Sequence, residues 1–145
     1  MKTWARCCFL MMSAALLCAA GLLRAQEKTV KRTPIKSTSP ASAEEMFKTY
    51  CAPCHGKDAK GLGPASVDLK TTPPDLTTLA KRHEGKFPAD YVTSVLRNGI
   101  KAPAHGSSEM PTWGPLFAKV SGEDPSLVSM RISNLVHYLE SLQVK

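Results

Sequence analysis

Residues 50–64, "YCAPCHGKDAKGLGP", decide what kind of molecule this chain makes. Cys51 and Cys54 stand three apart, and His55 follows the second cysteine directly. Three chemistries use cysteines and histidines at such spacing: a covalently attached haem, a structural zinc ion and a redox disulfide. The sequence on either side of the triplet has to discriminate among them.

Upstream, Lys2 and Arg6 precede residues 7–23, which carry no charge, and the chain turns polar at Gln26 after Arg24 and Ala25. A positive start, an apolar run and a small residue at its end form the pattern of a secretory signal peptide, here residues 1–25. An uncleaved anchor is the alternative, because 17 apolar residues lie at the short limit for spanning a bilayer. Three of the five cysteines, Cys7, Cys8 and Cys18, fall in this segment, so the mature chain keeps only Cys51 and Cys54. A disulfide framework for an oxidising compartment would want more pairs than that.

Residues 26–41, "QEKTVKRTPIKSTSPA", have no aromatic side chain and are rich in Lys, Ser and Thr. Such a composition buries little surface and is expected to act as a flexible linker, one that would tether the domain above a membrane if the leader stays attached. The formal charge of +7 comes mainly from the leader and linker. From Ser42 onward 12 basic residues face 11 acidic ones, and no basic helix with interleaved aromatics appears, which argues against nucleic acid as a partner.

The domain, residues 42–145, is expected to be all-α. Ser42 with Glu45 forms a capping-box pattern, after which Phe47, Tyr50, Cys51 and Cys54 share one helical face up to Gly56. Residues 57–74, with Gly61, Gly63, Pro64, Pro73 and Pro74, show no periodicity and are expected to be a long loop. Asp75 is placed to cap a short helix, and Pro88 to open another that Gly99 closes. A second irregular stretch is expected over 99–123, followed by a last helix with Val128, Ile132, Leu135, Leu139 and Leu142 at helical spacing. No segment alternates with period two for long enough to argue for a sheet. Two long loops around a modest core suggest a domain that borrows stability from a cofactor.

Zinc would want two more ligands at a defined spacing, and His83, His105 and His137 are scattered. A redox pair normally sits at a helix start beside a βαβ unit, whereas this pair lies at the end of its helix in a chain without strands. Haem attachment asks for what is present: two thiols one helical turn apart, each able to add to a vinyl group, and an adjacent imidazole for the iron.

The domain resembles the class I cytochromes c over about Ser42 to Lys145. The resemblance rests on "CAPCHG", "GLGPAS", "PPDLT", on "NGI" followed by "EMPTWGPLF", and on "ISNLVHYLESL". It implies a cytochrome c fold of three to five helices around one covalent haem c, with first and last helices crossing where Phe47 and Tyr138 would meet. Cys51 and Cys54 would form the thioethers and His55 the proximal iron ligand. The resemblance also implies a sixth ligand from the loop before the last helix. Met110 fits, since Met46 lies off the haem-facing side of its helix and Met130 points away from the apolar stripe of its own. His105, in the same loop, is the rival. Pro64 would accept a hydrogen bond from the His55 ring through its carbonyl, and Trp113 would pack on the haem edge or serve as core.

The function so implied is that of an exported, periplasmic mono-haem cytochrome c passing single electrons between larger redox proteins, donor and acceptor, rather than an enzyme. Its competitors are a haem subunit or small peroxidase with a labile sixth ligand, and a non-haem zinc or thiol-disulfide module.

Overall fold

The computed structural model describes residues 34–99 and 110–144. The expected leader, residues 1–25, most of the expected linker, and His105 lie outside the described residues. Among the described residues the chain is helical and contains no strand, as expected. Also among the described residues, no helix is long and apolar enough to cross a membrane.

Helix α1, Ala43–Met46, begins at Ser42, whose hydroxyl accepts from the Glu45 N–H. The capping box is only half made: the Glu45 carboxylate turns further back and accepts from the Ser39 N–H. A π-helical turn, Phe47–Cys51, follows, closed by the Ala52 N–H on the Phe47 carbonyl, and α2, Ala52–His55, continues from it. The widening was not expected from the periodicity, yet Pro53 accounts for it. In an unbroken α-helix its ring would press on the carbonyl of Thr49; the wider turn relieves that clash.

After short 3₁₀ turns at Ser66–Asp68 and Leu76–Thr78 come α3, Leu79–Arg82, and α4, Ala89–Asn98. Asp75 caps the second turn as expected, its carboxylate accepting from the Thr77 N–H at 2.8 Å. The stretch 99–123 is not wholly irregular: α5, Trp113–Val120, forms within it. Gly114 and Pro115 conceal this helix in the sequence. Pro115 falls in the first turn, where no backbone N–H is needed. Gly114 is required for packing, since a Cβ there would stand 2.4 Å from the Arg97 carbonyl oxygen of α4. Helix α6, Pro125–Ser141, is capped by Asp124 and packs on α1, α4 and α5.

Phe47, Phe117, Met46, Ile132 and Leu135 are fully buried at this junction. The Phe47 and Tyr138 rings meet 5.4 Å apart where the first and last helices touch, as expected. The folded unit extends upstream of Ser42, the start assigned from composition. The Lys36 carbonyl accepts from the Tyr50 hydroxyl, the Pro40 carbonyl from Asn134, and Thr38 is buried against Arg131. Hydrogen bonds to backbone carbonyls do not show in a composition, so the linker's last residues looked like the rest of it.

Candidate haem-binding cavity

The loop after α2 folds back beneath the cysteine–histidine turn and ties it down. The N–H groups of Gly61, Gly63 and Ala65 donate to the carbonyls of His55, Cys54 and Pro53 at 2.7, 3.0 and 2.8 Å. These are the carbonyls that the end of a helix leaves without partners. The approach is so close that a Cβ at Gly63 would lie 2.4 Å from the Pro53 carbonyl oxygen, and one at Gly61 2.0 Å from that of Pro73. "KGLG" in the sequence is therefore a cradle for the triplet, and both glycines are needed for contact.

Above the turn lies a cavity of ≈ 230 Å³ whose wall is mostly apolar. Cys51, Cys54 and His55 line it from the first helical stretch, together with Phe47 and Tyr50. Leu69 and Thr71 to Pro74 contribute from the loop, Leu76 and Leu79 from the turn and α3, and Val92, Val95 and Leu96 from α4. Met110, Pro111 and Trp113 close it ahead of and within α5, and Leu139 from α6. Residues about 60 positions apart in sequence thus meet on one wall.

The two thiols are free rather than bonded to one another. Burial in this apolar wall, with Cys54 beside it, pushes the Cys51 thiol up to about 12, so it is held as the neutral thiol. The His55 ring is buried, and burial holds its pKa below the usual imidazole value, against a smaller upward pull from the Pro74 carbonyl. It is therefore a neutral base at pH 7, the form that ligates metals. Its Nδ1 is buried without a hydrogen-bond partner, a condition that costs about 1–3 kcal/mol until something relieves it. Among the described residues, no cluster of three or more His, Cys, Asp or Glu could hold a bare metal ion.

Of the remaining sequence-derived candidates, Trp113 is buried, stacks on Phe117 at 5.5 Å and meets Tyr50 at 5.5 Å while facing the cavity. It belongs to the core and also lines the cavity. Met110 is half-buried in the wall. Met46 is fully buried away from it, with its sulfur 3.5 Å from Arg131, and Met130 is exposed. Pro64 is exposed and does not line the cavity; the carbonyl acting on His55 belongs to Pro74. His83 and His137 lie on the surface. The apolar residues of α4 and the "TTPP" segment were legible only as core and loop, because periodicity does not tell a face packed on protein from one facing a cavity.

Two free thiols and a neutral imidazole with an unpartnered Nδ1, on an apolar wall inside a helical shell, suit a flat apolar iron cofactor. That combination distinguishes c-type cytochromes from other helical proteins, and comparison with known proteins puts this chain among them. A model of the family "Cytochrome C oxidase, cbb3-type, subunit III" matches residues 38–128, more than half of the chain, which therefore belongs to that family. A cytochrome c-550 of Virgibacillus halodenitrificans is 54% identical over 28 residues, 19% of this chain and 80% of that protein. No solved structure matches. Membership implies covalently bound haem c, with its iron, and a part in electron transfer.

Proposed function

We propose that the protein is an exported carrier of single electrons with one haem c, held by thioethers from Cys51 and Cys54. The supporting observation is the convergence of both thiols, the His55 ring with its unpartnered Nδ1, and Met110 on one apolar cavity. His55 would supply the proximal iron ligand and the Met110 sulfur the distal one. When bound, the haem supplies a ferric–ferrous couple, and a thioether opposite an imidazole favours the ferrous state. The wall residues exclude water from that couple, and burial keeps His55 neutral for ligation. Pro74, in place of Pro64, would steady the ring through its carbonyl, and Trp113 would close the cavity edge. With His55 and Met110 both holding the iron, no iron site would remain for substrate, which would separate a carrier from a peroxidase. The leader of residues 1–25 would direct the domain to the periplasm.

The family description favours a second arrangement, in which the domain works as a haem subunit attached to a membrane oxidase and exchanges electrons within that assembly. Spectro-electrochemistry of the purified protein, with and without cyanide at neutral pH, tests the first proposal. A stable His/Met spectrum unmoved by cyanide is expected; rapid cyanide binding would indicate a labile sixth ligand and an enzyme. Recovery of the protein in a detergent-solubilised complex with oxidase activity would favour the second arrangement.

A further inference from the structure

Arg131 is a buried group that the electron-carrier reading leaves unused. It lies on α6 at 2% exposure. Its Nε donates to the Ser121 hydroxyl at 2.9 Å, Nη1 to the Thr38 hydroxyl at 3.0 Å and Nη2 to the Thr38 carbonyl at 2.8 Å. Nη1 also stands 3.5 Å from the Met46 sulfur, and Cζ lies 6.0 Å from the Phe117 ring centroid. Every one of these partners is neutral, and among the described residues no carboxylate pairs with it. A guanidinium keeps its charge wherever it is placed, so this is a buried positive charge with no carboxylate partner among the described residues. Buried charges are ordinarily paired.

The position of that charge matters. Phe117, beside Arg131, lies 5.7 Å from Tyr50 and 5.5 Å from Trp113, and both of those rings line the cavity. The cation therefore sits one aromatic layer behind the cavity wall, in surroundings that water does not screen. We infer that Arg131 raises the reduction potential of the cofactor held in this cavity, acting through space as a fixed internal charge. The inference rests on the haem reading above. An added electron is attracted by a nearby fixed cation. At separations of about 12 to 15 Å and an effective dielectric near 20, removing it lowers the reduced-to-oxidised ratio roughly six- to tenfold at a given potential. Hydrogen bonds alone give Arg131 a structural duty, docking Thr38; the missing counter-ion is what gives it an electrical one.

The test is a redox titration of the holoprotein at low and high salt, with the thermal transition and absorbance spectrum recorded for each variant. Arg131→Met should lower the ratio six- to tenfold at both salt concentrations, while Arg131→Lys, which keeps the charge but not the fork of hydrogen bonds, stays within about twofold of wild type. Ser121→Asp, which sets a carboxylate beside Nε, should reproduce the fall without removing the arginine, and serves if Arg131→Met does not fold. Thr38→Val should leave the ratio unchanged. A ratio unmoved by Arg131→Met or Ser121→Asp overturns the inference, as does a fall with Arg131→Lys or Thr38→Val as large as with Arg131→Met. Wild-type protein that attaches no haem would instead overturn the haem reading and this inference with it.

Discussion

Replacing Gly63 with alanine probes the cradle beneath the cysteine–histidine turn. In an exposed loop whose backbone suits any residue, Gly→Ala usually stabilises by about 0.4–1 kcal/mol, because it restricts the unfolded chain. Here the sign should reverse. The new Cβ would lie 2.4 Å from the Pro53 carbonyl oxygen, 2.5 Å from that of Ala52 and 2.6 Å from the Pro53 carbonyl carbon. All three are backbone atoms in a helical turn, so no flexible side chain can give way. Relief requires the loop to lift, which stretches the bonds from the Gly63 N–H to Cys54 and from the Ala65 N–H to Pro53. Overpacking at about 1–3 kcal/mol and two backbone bonds at about 1 kcal/mol each give a loss of about 3–5 kcal/mol. For a domain near 100 residues that is a fall in Tm of well over 10 °C, at roughly 4 °C or more per kcal/mol. Calorimetry or denaturant unfolding of the holoprotein measures it. A loss below about 1 kcal/mol, or any gain, would show that the loop does not bear on the turn in this way.

Three further outcomes follow from other contacts. Asp75→Ala should cost about 1 kcal/mol at pH 7 through loss of the cap; hydrogen bonds from Thr77 hold that carboxyl below its ordinary value. Its contribution is therefore complete above the unfolded carboxyl pKa and is lost as pH falls through the folded one, so wild type and Asp75→Ala should converge in thermal melts below about pH 4. Mature chains starting at Pro34 and at Ser42 should differ by about 2 kcal/mol or more in denaturant unfolding, since the shorter one strips Arg131, Tyr50 and Asn134 of partners; equal stabilities would mean that residues 34–41 do not pack. Met110→Ala should abolish the far-red sulfur-to-iron band of the ferric protein, lower its potential and open the iron to added ligands, whereas His105→Ala leaves all three unchanged. The reverse pattern would identify a bis-histidine site.

Local chemistry made much of this legible before any coordinates. Ser42, Asp75, Pro88 and Gly99 mark helix ends by mechanisms that act within a turn or two, and each stands at or beside an end in the structure. The Phe47–Tyr138 contact was legible through the resemblance, which implies that the first and last helices cross. What stayed hidden depends on partners distant in sequence. Gly114 and Pro115 read as breakers until α4 supplies the surface that needs a glycine. Thr38 read as linker until Arg131, 93 positions away, supplies its donor. The apolar stripe of the last helix gave no reason to bury Arg131. At the cavity, the triplet and Met110 could be named from sequence, but its far wall on α4 could not.

The central claim is that Cys51 and Cys54 hold the cofactor covalently, and the intact mass of purified protein under denaturing conditions tests it most directly. The measured mass should exceed that of the processed polypeptide by one haem. Pigment should stay with the chain through acid-acetone extraction, and holoprotein yield should drop sharply in Cys51→Ala and Cys54→Ala. A mass equal to the bare polypeptide, with all pigment extracted, would contradict it.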